Sequence, residues 1–127
     1  IQKQFQLLIT DDNPSFRKVL REVLESRPFL TLHEAESGEE AVEVVKQQRI
    51  DIVLLDMHMK CLTGIETMRI MKQLDIVRPC ILITSDLSEE VCRDASDASA
   101  FRVLRKPVPR HELVETVSTA LTSAYLS

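Results

Sequence analysis

The sequence predicts an α/β domain, a parallel sheet with helices on both faces. Two observations predict it. Short apolar runs rich in β-branched or aromatic residues alternate with stretches of helical periodicity along the whole chain. Four of these runs, Phe5–Thr10, Ile50–Leu55, Pro79–Ile83 and Phe101–Leu104, lead into reactive polar residues: Asp11-Asp12, Asp56, Thr84 and Lys106. In a parallel sheet all of them emerge at one carboxyl edge, where open α/β sheets place their ligands.

Each element follows from local chemistry. Phe5–Thr10 reads as the first strand. Asn13-Pro14 then offers a cap with proline in the first helical turn. Phe16, Val19, Leu20, Val23 and Leu24 recur at i, i+3, i+4, i+7 and i+8, one apolar helical stripe that Pro28 closes. Phe29–His33 reads as the second strand. Ser37-Gly38-Glu39-Glu40 is a capping-box pattern opening a helix with Ala41, Val44 and Val45 inward. Asp51–Leu55 is a central strand, apolar after its first residue. Ile65, Met68 and Met71 line a third helix as core filler. The fourth strand starts at Pro79, where a missing amide is tolerable. Ser88–Ala95 has little apolar periodicity and reads as a short helix. Phe101–Leu104 is the fifth strand. The last helix runs from about Pro109 with Leu113, Val117, Leu121 and Ala124 inward. No repeat, low-complexity tract or interdomain linker interrupts the five β/α units, so residues 1–127 read as one domain with one core.

Composition removes several function classes. The net charge of −4 argues against a nucleic-acid surface, which needs a basic face, though not against a partner domain that binds DNA. No apolar run approaches the ~20 residues that span a bilayer. Gln2-Lys3-Gln4 leads directly into a strand without a signal-peptide pattern, so a cytoplasmic protein is expected. The chain begins without Met, from which a longer parent protein is expected. The three cysteines have no metal-ligand spacing, and their odd count fits reduced thiols. Cys80 lies in an apolar strand and reads as core; Cys61 and Cys92 read as passive. The two glycines, Gly38 and Gly64, are too few and too far apart for a Walker loop, a dinucleotide fingerprint or a glycine-rich flavin loop. A phosphate site in this chain must be built from side chains and isolated amides.

The polar edge supports specific chemistry. Carboxylates brought together repel unless a cation neutralises them, and a hard divalent ion such as Mg²⁺, with one or two carboxylates and several waters, is the natural solution. The alternative, that Asp11-Asp12 merely caps the next helix, is weakened because Asn13 already offers that function. Asp56 ends so apolar a strand that its charge needs compensation. A metal and Lys106 would provide it. Such an aspartate can act as a nucleophile through an acyl-phosphate; in a purely structural reading it caps a loop. Thr84 offers a hydroxyl to a phosphoryl oxygen. Lys106-Pro107 places a cation beside a bond that allows a cis kink. Any one of these is common, but the set at one sheet edge is not.

With these residues in view, the chain resembles the receiver domains of two-component response regulators over essentially all 127 residues. The motifs are Asp11-Asp12, the segment from Asp56 to Gly64 with Met59 at its third following position, Thr84-Ser85 and Lys106-Pro107. The resemblance implies a flavodoxin-like (βα)5 sheet in the order 2-1-3-4-5. It implies Asp56 as phosphoacceptor, with a phosphohistidine on a sensor histidine kinase or phosphotransfer protein as donor. It implies Mg²⁺ held by Asp12 directly, Asp11 mainly through water, Asp56 and the backbone carbonyl of His58. Thr84 and Lys106 would contact the phosphoryl group. The domain would be a signalling phosphoacceptor, catalysing only its own phosphotransfer and dephosphorylation, with no membrane or direct nucleic-acid contact.

The chain also departs from the family's pattern. Lys60 replaces the usual proline after Met59, adding a charge and a freer loop. Val103 replaces the aromatic residue three positions before the lysine, and valine cannot reproduce a large ring rotation, so the output switch must differ or be lost. Phe101 lies two positions earlier and reads as core. Ser99 replaces a common glycine, with small expected effect. His58 and Asp86, two positions after Asp56 and Thr84, flank the site and are expected to tune phosphoryl lifetime. Arg93, Arg102 and Arg105 are either partner contacts on the face of the fourth helix, fifth strand and fifth helix, where a homodimer could form, or solvated charges. Two rivals stand beside this reading: a phosphorylation-independent binding module, which Val103 favours, and a Mg²⁺-dependent phosphohydrolase with His58 as base, which lacks a cap domain.

Overall fold

A computed structural model describes residues 4–126. Five parallel strands, β1 (Phe5–Thr10), β2 (Leu30–Ala35), β3 (Ile52–Asp56), β4 (Cys80–Thr84) and β5 (Arg102–Arg105), form one sheet in the order β2-β1-β3-β4-β5. Between and after them lie α1 (Pro14–Leu24), α2 (Gly38–Gln47), α3 (Gly64–Gln73), α4 (Glu89–Asp97) and α5 (Arg110–Leu121), followed by a π-helical turn over Thr122–Leu126. This is the expected doubly wound (βα)5 fold. Among the described residues no helix is long and apolar enough to cross a membrane.

Period-two alternation in the strands divides the core. Leu7, Ile9, Ile52, Leu54, Ile81, Ile83 and Leu104 face α1 and α5, where Leu20, Leu24, Leu113, Val117 and Leu121 cover them. Leu8, Val53, Leu55, Cys80 and Leu82 face α2, α3 and α4, against Ala41, Val42, Val45, Ile65, Met68 and Met71. The central strands are buried on both faces, which is why they read as unbroken apolar runs. α4 contributes only Ala95 to the interior from within its span, consistent with its weak periodicity. Cys80 is buried, and burial pushes its thiol up to about 12; Cys61 and Cys92 are exposed and unpaired.

Local details differ from expectation in physically informative ways. Asn13 caps α1 as predicted, accepting from the Ser15 and Phe16 amides, but Val19 in the predicted stripe is 52% exposed. The Ser37 hydroxyl accepts from the Glu40 amide, yet the Glu40 carboxylate accepts from Glu36 instead of closing the box. The closed capping box lies at α3, where Thr63 and Glu66 satisfy each other's amides. Val42 is buried and Val44 only partly so. Ala124 is exposed because the π-helical turn breaks the spacing, and Ala120 takes the inward place.

α3 and α4 both end in a Schellman motif closed by a non-glycine residue. After α4, Ala100 donates to the Ala95 carbonyl and Ser99 to Ser96, with Ser99 at φ 67°. Asp75 does the same after α3 at φ 59°. A serine in the left-handed region costs about 1 kcal/mol or more, so the glycine replacement at Ser99 is not neutral.

Candidate functional site

The carboxyl edge gathers the polar residues that the sequence placed there. Asp11 and Asp12 follow β1, Asp56 ends β3, Thr84 ends β4, and Lys106 follows β5. β1 and β3 are neighbours, and Asp56 pairs with Ile83 across the sheet, so Thr84 stands one residue beyond it on the adjacent strand. Lys106 donates its amide to the Thr84 carbonyl at 2.8 Å, and the Lys106–Pro107 bond is cis. The backbone therefore brings four strand ends to one edge of the sheet, where the side chains of Asp11, Asp56 and Lys106 meet.

Electrostatics organise that point. Asp56 and Asp11 are 5% and 1% exposed. Lys106 Nζ lies 2.8 Å from Asp56 Oδ1 and 3.5 Å from Asp11 Oδ2. Burial pushes the Asp56 carboxyl above its ordinary value; the Lys106 hydrogen bond and charge pull it down, while Asp11 and Asp12 push it further up. Asp11 is held by the Asn13 amide, which donates to its Oδ1 at 2.8 Å, while Arg17 donates to its carbonyl at 2.7 Å. Arg17 and Arg21 also grip Glu34 at the end of β2.

The three aspartates each offer one oxygen, and these oxygens lie within 4.8 Å of one another. Asp11 Oδ2 is buried and accepts no hydrogen bond among the described residues; the 3.5 Å contact to Lys106 is a charge contact too long for a good one. Three carboxylates against one ammonium leave the cluster negative, and an all-oxygen donor set with an unused buried lone pair suits a hard divalent cation.

The flanking positions fall where their chain positions require. His58 and Asp86 are exposed beside the site. Thr84 Oγ1 is engaged with the Asp86 backbone, accepting its amide at 3.1 Å and lying 3.3 Å from its carbonyl. Val103 is partly buried against the α2-α3-α4 side of the core, and Phe101 against the α1-α5 side. Lys60 corrects one expectation. Its amide donates to Asp12 Oδ2 at 3.0 Å, so the loop is tethered to the acidic cluster by a donor that proline would lack. Gly64 is required by a close approach: a Cβ there would stand 2.7 Å from the Asp56 carbonyl and 2.7 Å from Leu82 Cδ2. Neither this approach nor the contact of Lys106 with the Phe16 ring was visible in the sequence, because both join residues from different elements.

A 2-1-3-4-5 parallel sheet with an acidic cluster at its topological switch point defines a flavodoxin-like protein. The chain belongs to the response regulator receiver domain family, whose model matches residues 7–118, and it is thus a receiver domain of two-component signalling. It is 36% identical over 118 residues to the chemotaxis protein CheY of Halobacterium salinarum, covering 93% of this chain and 98% of that protein. It is 32% identical over 115 residues to the nitrate/nitrite response regulator protein NarP of Escherichia coli, covering 89% of this chain and 53% of that one. The chain therefore spans nearly all of the first relative and about half of the second. The signal receiver domain of a putative Luxo repressor protein from Vibrio parahaemolyticus superposes with a TM-score of 0.91 at 20% identity, over 97% of this chain and 94% of that one. At that identity the likeness is one of fold.

Proposed function

We propose that Asp56 accepts a phosphoryl group from a phosphohistidine on a sensor histidine kinase or phosphotransfer protein. The observation that carries this reading is the buried Asp56 carboxylate, held by Lys106 Nζ at 2.8 Å beside Asp11 and Asp12. One Asp56 oxygen attacks phosphorus; the new P–O bond forms as the P–N bond breaks and its electron pair leaves with the imidazole. Lys106 opposes the burial that pushes the Asp56 carboxyl up, and then meets the charge on the phosphoryl oxygens. Thr84 turns its hydroxyl from the Asp86 backbone to a phosphoryl oxygen. Asp11, Asp12, Asp56 and the His58 backbone carbonyl would hold Mg²⁺, which when bound neutralises charge on the transferred group. Positioning and charge neutralisation are most of what phosphoryl transfer requires.

Release of the group by water regenerates Asp56, and the exposed side chains of His58 and Asp86 set how readily water approaches. The signal leaves through the face of α4, β5 and α5. There Arg93, Arg102 and Arg105 are exposed and available to a partner or a second copy of the domain, in a cytoplasmic protein.

Val103 favours a second reading, a receiver-like binding module that works without phosphorylation. Incubation with Mg²⁺ and a small phosphodonor separates the possibilities. One acid-stable, base-labile phosphoryl group per chain supports the acceptor. No label supports the bare binding module, and multiple turnover on phosphate esters supports a hydrolase.

A further inference from the structure

Among the described residues the Lys106 ammonium meets Asp56 Oδ1 at 2.8 Å, Asp11 Oδ2 at 3.5 Å and the centre of the Phe16 ring at 4.0 Å. The two carboxylates compete for it. A lysine side chain has a long flexible stem and a compact charge that can serve either. The ring supplies the third side of the cage. Its negative face attracts the ammonium, more strongly where water is partly excluded, and the Lys106 side chain is only 23% exposed.

The ring is itself held in place. The Phe16 amide donates to Asn13 Oδ1 at 3.2 Å and the Ser15 amide to the same oxygen at 2.9 Å. Pro14 stiffens the first turn, and the ring packs against the core under α1 and α5. The helix cap that follows the acidic pair thus sets an aromatic face over the lysine from the opposite end of the chain.

We propose that Phe16 is a positioning residue for phosphoryl transfer, its ring face holding the Lys106 ammonium at Asp56. This rests on the reading of Asp56 as the phosphoacceptor. Without the ring, water takes its place and the ammonium spends more time at Asp11 or turned toward solvent, away from where the phosphoryl oxygens arrive.

The test compares wild type, Phe16→Leu, Phe16→Tyr, Lys106→Ala and the Phe16→Leu/Lys106→Ala double variant. Phosphorylation rates are measured with a small phosphodonor and saturating Mg²⁺, and the Lys106 ε-methylene proton shifts by NMR in the metal-free protein. Phe16→Leu is expected to slow phosphorylation about three- to tenfold, the range of a cation–π contact, with Phe16→Tyr close to wild type. The Leu effect is expected to vanish in the Lys106→Ala background. The ε-methylene protons, shielded by the ring in wild type and Phe16→Tyr, should return to ordinary positions in Phe16→Leu. Phe16→Met repeats the measurements if leucine disturbs the core. A wild-type rate in Phe16→Leu, or equal slowing with and without Lys106, overturns the inference while leaving the phosphoacceptor reading intact. A wild-type protein that takes no label overturns both, so the wild-type rate tells failure of the phosphoacceptor reading from failure of the Phe16 inference alone.

Discussion

Lys106 Nζ stands 2.8 Å from Asp56 Oδ1, with the aspartate side chain 6% exposed and the lysine 23%. The pair is sealed on the sheet side and open toward solvent. A carboxylate thus ends a strand that is buried along its whole length, and the lysine that meets it is the more exposed of the two.

The Asp56 carboxyl sits above its ordinary 3.8, chiefly through burial and further through Asp11 and Asp12, against the opposing pull of Lys106. Such a group takes up protons on folding. Its contribution to stability is present below 3.8 and is lost as pH rises through the folded value. Asp56→Asn removes that loss. In metal-free buffer at neutral pH the variant should melt higher than wild type, and the difference should shrink as pH falls toward 3.8. Thermal melts across pH check this; a lower melting temperature at neutral pH would show that Lys106 overcompensates.

Glu34 titrates in the opposite direction. Burial alone would raise its carboxyl, but hydrogen bonds and charge from Arg21 and Arg17 outweigh burial and hold it below 4.5. Its contribution to stability is complete above 4.5 and lost as pH falls through the lower folded value. Glu34→Gln should cost at most about 1 kcal/mol at neutral pH, as partly exposed pairs do, and should flatten the decline in stability below pH 4.5. Urea unfolding midpoints at stepped pH provide the measurement.

A methyl group at Gly64 meets the Asp56 carbonyl and Leu82 Cδ2 at 2.7 Å, and the carbonyl belongs to backbone that cannot swing aside. Gly64→Ala should destabilise by about 1–3 kcal/mol and slow phosphorylation by moving Asp56. Chemical denaturation and labelling kinetics on the same preparation test both effects. A variant equally stable and equally fast would mean that β3 and α3 can separate freely.

Ser99 closes α4 at φ 67°. Ser99→Gly relieves the side-chain penalty but loosens the unfolded chain, and the net expectation is a gain of about 0.5–1 kcal/mol. Equilibrium unfolding reads it directly.

Four of the five strands were legible because each is a short apolar run leading into a polar residue, and a parallel sheet turns that linear pattern into one edge. β2, which carries Thr31, His33 and Glu34, lies at Leu30–Ala35 and not at the Phe29–His33 read from the sequence. The candidate site was legible for the same reason: Asp11, Asp12, Asp56, Thr84 and Lys106 sit at strand ends, where direction follows from topology. What stayed hidden depends on contacts between elements. Val19 fits a helical stripe, but α1 buries a narrower face than its periodicity allows. Ala124 follows the spacing of α5, but the helix widens into a π turn before reaching it. Serine and glutamate three residues apart sufficed to suggest a box at Ser37, whereas the Glu40 side chain turned to Glu36 and the closed box formed at Thr63. The tether from the Lys60 amide to Asp12 needed the loop's path, which residue types alone do not determine.

The central claim is that Asp56 is the residue that carries the phosphoryl group. Its most direct test is to label the protein with a small phosphodonor and Mg²⁺, trap the acyl-phosphate chemically, and locate the modified residue by peptide mass spectrometry, with Asp56→Asn alongside. The account predicts one modification per chain, on Asp56, and none in the variant. A modification on Asp11, Asp12 or Thr84, or label persisting undiminished in Asp56→Asn, would contradict it.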